Sequence, residues 1–508
     1  MYNLTAHRLT DHCPVLINSL QGIVTFVEDG LEHETATHEV EQGVLMLLFA
    51  LGHNLLEAFF TASGDGDVGE HLELENGRRI KRLEPRPRAY RSLFGDFEIH
   101  RVVYAQREGQ RIEAIPLDAR LKLPETCTSY LLQSWNEQLM IEMPYAHANA
   151  LLERLLGLRQ SVQTLERQQE SLSHAAAAFW DQHPAPPPDE EGAIIVNTVD
   201  GKGVAMRASE TAGQSGKKKI ALLGSVYTID PHERTPDEVL EALFAEASTP
   251  HKKPTTARPQ PMHKPLRACL ARDEHDTTEP QTTAIFEWMA QHNAQRNPDA
   301  SKPSVMLIDG QTSLWEAAWR FLPGDEVTEI LDIIHVSGYL WDAGARLYTD
   351  KQKTQTWVKT ALGEVLHGEV NKVIKRLKRQ GARLHGDQQK RLSSIQTYLV
   401  NNRHRMNYDL YLAAGFPIAT GVIEGACRHL VKDRMGRSGM RWTVRGAQAL
   451  LPLRSVALSA LWEPFMAFSV DQELTRLYGK QATNDGHTGL AMVAYENGKS
   501  VAKSANVS

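Results

Sequence analysis

The order of apolar and polar positions changes character along the chain. Between residues 36 and 61, Val40, Val44, Leu47, Leu48, Leu51 and Leu55 recur at helical spacing, which predicts a long amphipathic helix. Its most apolar part, Leu45 to Phe60, is interrupted by His53, Asn54 and Glu57 and reads as too short to span a bilayer. From Ala89 to Leu123 the pattern turns to alternation around turn formers. Phe94-Gly95-Asp96-Phe97-Glu98-Ile99 and Arg101-Val102-Val103-Tyr104 predict a small β-hairpin unit. Helical spacing returns over 128–174. There Leu151, Leu152, Leu155 and Leu156 run up to Gly157, a turn follows, and Ser161 is placed to cap a second helix. That helix offers Gln163, Thr164, Arg167 and Gln168 outward, as a helix-turn-helix reader does in the major groove. A plain helical hairpin fits the same pattern equally well.

The second half alternates strand and helix. Apolar runs at 192–199, 219–228, 304–308 and 329–334 predict strands, and helices are expected near 282–293, 313–321 and 336–347. A long helical stretch fills 353–412. The expected architecture is therefore α/β: a sheet with parallel neighbours, flanked by helices and interrupted by a helical insertion at about 350–415. Asp181 to Gly192, with four prolines and four acidic residues, reads as a linker. The expected organisation is a helical and β-hairpin region over 1–120, a helix-turn-helix region over 121–180 and the linker at 181–192. A catalytic domain over 193–470 and a disordered tail over 471–508 complete it. Pro250 to Pro265 reads as a long loop inside the second domain.

Composition changes this picture little. With 508 residues, 42% apolar and 23% charged, the chain is ordinary globular protein of several domains. The four cysteines are far apart and form neither a zinc pattern nor a disulfide framework, and no charged-then-apolar leader opens the chain. A cytoplasmic protein without a membrane partner is expected.

Charge matters more. The net charge is −6, yet residues 372–391 carry eight basic side chains against Asp387, and those at 424–445 and 78–101 sum to +4 and +5. Polyanion binding depends on such local patches rather than on the total. Charge runs are often no more than solvated helix faces; three of them favour nucleic acid.

Candidate chemistry lies at strand ends. Ligands of open α/β sheets bind beyond the carboxyl ends of strands, where Asp200 and Asp309 each follow an apolar run. If those strands are neighbours, the two carboxylates repel unless a cation lies between them, and oxygen donors suit Mg²⁺. A helix opening after Pro417 and Thr420 supplies Glu424, with Arg428 on the same stripe. Three carboxylates around divalent ions can activate a water or a 3′-hydroxyl and stabilise the leaving oxygen in phosphodiester cleavage. Each aspartate taken singly is equally explained as a cap or turn residue.

Three blocks then resemble a known family. They are Asp200-Gly-Lys-Gly-Val-Ala-Met-Arg207, Leu307-Ile-Asp-Gly-Gln311, and Ala419-Thr-Gly-Val-Ile-Glu-Gly-Ala-Cys-Arg-His-Leu-Val-Lys-Asp-Arg-Met435 with Ser438-Gly-Met-Arg-Trp442. Together they resemble bacterial insertion-sequence transposases of the ISKra group, a DDE-type branch, over roughly residues 85–460. The resemblance implies an RNase H-like core with a mixed sheet, and a metal-binding acidic triad at Asp200, Asp309 and Glu424. It also implies Mg²⁺ or Mn²⁺ as cofactor, and cleavage at element ends followed by strand transfer into target DNA. Two ends must be brought together, so a homodimer or larger assembly associated with the nucleoid is expected.

Asp332-Ile-Ile-His335 is similar to the acid-two-residues-histidine signature of related transposases; Asp332 and His335 would then shape the metal site or contact the phosphate. A strand end with a helix-capping histidine is the equal alternative. Arg428, Lys432, Arg434 and Arg437 are expected at phosphates, and Lys375, Arg376, Lys378 and Arg379 in the inserted helices would grip the backbone. Trp442 stacks on a base or, more simply, fills the core. Cys427 borders the site or is a buried helix cysteine. Gly64-Asp-Gly-Asp-Val-Gly69 fits a dinucleotide fingerprint by letter, but no strand precedes it and its aspartates oppose a pyrophosphate, so no nucleotide cofactor is expected. The rival functions are an RNase H-like nuclease or resolvase that does not join strands, and a transposase-derived DNA-binding regulator.

Overall fold

The computed structural model of the chain describes residues 14–74, 76–211, 217–245, 258–271, 280–322, 327–479, 494–496 and 499–501. It divides into two compact units, Met1–Leu165 with Met466–Ser508, and Glu166–Phe465.

The first unit opens with a helical hairpin, α1 (Pro14–Glu32) and α2 (Thr37–Ala62). His53, Asn54 and Glu57 do not break α2. At 26 residues it is, by length and composition, long and apolar enough to cross a membrane, which corrects the shorter span read from the sequence. The expected core stripe is also incomplete: Val40, Val44, Leu47 and Leu51 are half-buried, whereas Leu48 and Leu55 are exposed. Next come strands β1 (His71–Glu73) and β2 (Arg79–Arg82), which the alternation pattern missed because they are only three and four residues long. With β5 (Tyr104–Ala105) they form an antiparallel sheet over Ile80, Val102 and Tyr104. A tight hairpin joins β3 (Arg86–Ser92) to β4 (Gly95–Arg101), with Ser92 opposite Gly95. Two of its cations, Arg88 and Arg101, turn inward onto the buried carboxylate of Asp118. The Gly64–Gly69 segment is a loop whose aspartates accept its own N–H groups, Asp65 from Asp67 and Asp67 from Gly69.

Helix Tyr145–Leu156 ends at Gly157 in the left-handed region (φ +68°), and Ser161 Oγ accepts the Thr164 N–H at 3.0 Å. The following helix, Val162–Ser173, exposes Gln163, Thr164 and Arg167. Gln168, expected on the same face, is buried: it falls on the Leu165 side of the helix. The tail expected to be disordered from 471 begins instead as the last two turns of helix Trp462–Tyr478, where Leu474 is buried and the Tyr478 hydroxyl donates to the Leu123 carbonyl. Residues 480–493 lie outside the described residues.

The second unit is built on a five-stranded mixed sheet, ordered β10-β9-β6-β7-β8. The strands are β6 (Ile194–Ala205), β7 (Lys218–Ile229), β8 (Leu266–Ala271), β9 (Ser304–Ile308) and β10 (Val327–Leu331). The first three are antiparallel to one another, while β9 lies parallel to β6 and β10 parallel to β9. Three antiparallel strands followed by two parallel additions on the other side of the first strand is the RNase H-like order, and helices flank the sheet.

The helical insertion is part of this core rather than an appendage. Helices Lys351–Leu366, Val370–Gly381 and Gly386–Asn402 send Val358, Leu362, Val373, Leu377 and Ile395 into one apolar cluster with Val196, Val305 and Ile330 of the sheet.

The acidic, proline-rich segment 181–192 lies within the second unit. Glu191 is held there by Arg296, 2.6 Å away, and by the Thr228 hydroxyl, and both partners of the ion pair are almost fully buried. Arg296 also donates to the Val226 carbonyl at 2.6 Å, so one guanidinium joins the entry to β6, the middle of β7 and the end of helix Pro280–Arg296. Arg296→Met strands a buried carboxylate and is expected to cost about 3–5 kcal/mol, read as a lower midpoint in urea denaturation. A midpoint unchanged from the wild type would contradict that role.

Candidate active site

Strand register brings the first two acids together. In the parallel ladder Asn197 of β6 is level with Met306 of β9, and carrying that register three residues on sets Asp200 level with Asp309. Even spacing along both strands puts the two carboxylates on the same face of the sheet. Asp200 does not end its strand, as the sequence pattern implied. β6 continues to Ala205 because β7 pairs with it throughout, Asp200 opposite Leu223 and Ala205 opposite Lys218. Gly201 serves this ladder: a Cβ there would come 2.9 Å from the Ile220 side chain.

Asp309 sits in the turn after β9, where its carboxylate accepts the Gln311 N–H at 2.9 Å and its carbonyl the Trp315 indole N–H at 2.8 Å. The next residue, Gly310, is pressed on the Tyr398 ring, which leaves no room for a Cβ. Glu424 lies in the first turn of helix Gly421–Cys427, its carboxylate accepting from the Thr420 hydroxyl.

Asp200, Asp309 and Glu424 line one cavity of about 560 Å³. Lys202, His335, Arg428 and Lys432 supply its cationic wall. Burial raises the Asp200 carboxyl above its ordinary range, the neighbouring Asp309 adds to this, and the Cys427 thiol and Gly201 N–H oppose it. Carboxylate oxygens are the donors that Mg²⁺ or Mn²⁺ takes, but the ligand atoms of Asp200, Asp309 and Glu424 do not all lie within 4.8 Å of one another. Cys427 is both things the sequence allowed: buried in its helix and in the cavity wall against Asp200.

Asp332 and His335 form a second layer. Asp332 is fully buried at the end of β10 and caps helix Ile333–Leu347. One of its oxygens accepts the His335 N–H (2.9 Å) and ring Nδ1–H (2.8 Å); the other accepts the Thr420 N–H (2.9 Å). The hydrogen bond to Asp332 pushes the His335 pKa up to about 9 against its partial burial, with further help from Asp309 and Glu424. The ring is therefore an imidazolium at neutral pH, 4.0 Å from Glu424. Among the described residues, the ligand atoms that converge within 4.8 Å of one another are those of Asp332, His335 and Glu424. That set reads as a hydrogen-bonded ion cluster, because Asp332 already has three donors and the ring is charged.

The expected phosphate contacts divide. Arg428 and Lys432 face the cavity one and about two turns beyond Glu424, and Arg437 is exposed. Arg434 is not available: it is fully buried, with its guanidinium 5.0 Å from the ring of Trp442, which fills the core. The cause is ordinary helical spacing: Arg434 lies four residues beyond the buried Leu430, on the inner face and away from Arg428. On helix Val370–Gly381, Lys375, Lys378 and Arg379 are exposed, whereas Arg376 turns inward to pair with Glu364 beside Trp357. Lys202 was missed by the sequence reading, although period-two spacing from Asp200 along one strand carried the signal.

Comparison with protein-family models finds no match, and neither does comparison with curated protein sequences. Among solved structures, the chain is similar to one described as the Drosophila P element transposase strand transfer complex. The TM-score is 0.23 and the identity 11%, over 70% of this chain and 82% of that one.

Proposed function

We propose that this protein is a DDE-type DNA transposase of the insertion-sequence kind, related to the ISKra group, which cleaves element ends and joins them to target DNA. The observation that carries the reading is the common cavity. On an RNase H-like sheet, two level carboxylates from adjacent strands and a third from a helix share one cleft with four cationic side chains. Asp200, Asp309 and Glu424 would hold Mg²⁺ or Mn²⁺, which when bound supplies Lewis acidity for phosphodiester hydrolysis and transesterification.

The chain's own groups do the rest. Lys202, Arg428 and Lys432 neutralise and orient the scissile phosphate, and His335, 4.0 Å from Glu424, helps to place it. Lys375, Lys378, Arg379 and Arg437 hold flanking backbone, and Gln163, Thr164 and Arg167 read the element end.

The test uses the purified chain and a plasmid carrying its gene with the flanking DNA. Cleavage at the element boundary is expected with Mg²⁺ or Mn²⁺ and not with EDTA, and an oligonucleotide ending in the pre-cut 3′-hydroxyl is expected to join target plasmid. Cleavage without joining would replace the proposal with a nuclease. Binding without either reaction under both metals would replace it with a regulator.

A further inference from the structure

The hairpin of α1 and α2 carries a surface that no described residue of its own unit covers. Helix α1 has two adjacent heptad stripes. One, containing Leu16, Ser19, Ile23, Phe26 and Gly30, turns toward α2. Leu16 is buried, a Cβ on Gly43 would strike the Phe26 ring, Gly30 lies against Val40, and Ser19 Oγ accepts from the Asn54 side chain at 2.9 Å. The other, one residue along, is Ile17, Leu20, Val24, Val27 and Leu31, spaced three and four apart and exposed by 36–78%. Helix α2 leaves Leu45, Leu48, Leu55 and Phe59 about half exposed.

We propose that these two stripes are the self-association surface of the protein, two copies of the hairpin closing into a four-helix bundle. Area selects both helices rather than one. The five α1 side chains expose roughly 500 Å², short of the ~800 Å² per partner of a standard interface, whereas the nine together expose roughly 850 Å².

Charge selects the occupant. No lysine or arginine occurs between residues 9 and 77, and Glu28, Asp29, Glu32, Glu34, Glu39 and Glu41 gather around the hairpin turn. That balance repels DNA and anionic lipid. Asn18, Gln21 and Thr25 border the first turns of the α1 stripe without charge, and Glu28 and Glu32 border its last. Packed antiparallel on its own copy, the stripe sets those acids opposite neutral residues rather than opposite one another.

The inference is independent of the cleavage chemistry, and its test reads mass rather than activity. Sedimentation equilibrium of the full chain, freed of nucleic acid, is expected to give a dimer at low micromolar concentration. Leu20→Glu with Val27→Glu, and separately Leu48→Glu with Leu55→Glu, are expected to weaken it by on the order of 100-fold or more. All four positions are exposed, so far-ultraviolet circular dichroism should match the wild type. A monomeric wild type, or variants that remain dimeric, would overturn the proposal. So would a monomeric wild type that floats with phosphatidylcholine vesicles while the variants do not, which would assign the surface to lipid.

Discussion

Glu424→Gln is expected to abolish metal-dependent cleavage while leaving DNA binding intact. The substitution keeps the side-chain shape and the acceptor for the Thr420 hydroxyl, so the helix start and cavity should persist. What is lost is one negative charge in the cavity shared with Asp200 and Asp309, and the 4.0 Å approach to the His335 imidazolium. If Glu424 completes a divalent site with Asp200 and Asp309, the rate should fall on the order of 10³-fold or more, equivalent to at least about 4 kcal/mol of barrier. Removing an anion from a cleft lined by Lys202, Arg428 and Lys432 should leave affinity for DNA unchanged or slightly tighter. Gel-shift titration and boundary cleavage on the same preparation separate the two effects. A variant that cuts at the wild-type rate with the wild-type metal requirement would remove Glu424 from the chemistry.

What could be read in the sequence followed the range over which each signal acts. The run Val305–Ile308 is fully apolar, and the structure buries it between β6 and β10, so Asp309 stands at a strand end as its pattern implies. The apolar run likewise stops at Asp200, which Gly201 and Gly203 follow, yet neither glycine forms a turn. They are instead ladder positions where the neighbouring strand crowds a Cβ, a fact set by β7 and not by local composition. β8 was missed, lying just after the proline-rich run that drew attention to itself. That Glu424 and Arg428 share one stripe was legible from helical spacing. The burial of Arg434 was legible too: the same spacing sets it four residues beyond Leu430, on the inner face.

The basic windows show the same limit. Counting charges does not reveal that Arg88 and Arg101 face Asp118, or that Arg376 faces Glu364. Periodicity also predicted α2 well and its burial poorly: a stripe meant for the chain's own core and a stripe meant for another surface have the same period.

Asp332→Asn should damage both the fold and the site, and the pH dependence of that damage tells why. The native carboxylate is buried and faces three N–H donors. An amide in its place must turn its own NH₂ toward one of them, in either orientation, and the charge that stabilises the imidazolium disappears. Two linked shifts set the window. Asp332 is held below its ordinary value because His335 and the two backbone N–H groups outweigh its burial; its contribution is present above the unfolded value near 4 and is lost as the pH falls through the lower folded one. His335 is raised to about 9; its contribution is complete below the unfolded value near 6.5 and is lost as the pH rises through about 9. The penalty of Asp332→Asn is therefore expected to be largest between about pH 4 and 6.5 and to shrink toward pH 10. Breaking such a pair costs ~3–5 kcal/mol when fully buried, and the 41% exposure of the His335 side chain sets the expected loss at the lower end. Urea denaturation from pH 5 to 10 in EDTA measures that curve, and proton NMR of the His335 ring should show its titration moving from about 9 to 6.5 or below. A ring that still titrates near 9 in the variant, or a penalty independent of pH, would mean that Asp332 is a helix cap and nothing more. The expected result makes it the clamp that joins the end of β10, the first turn of helix Ile333–Leu347 and the Thr420 backbone from which Glu424 is presented.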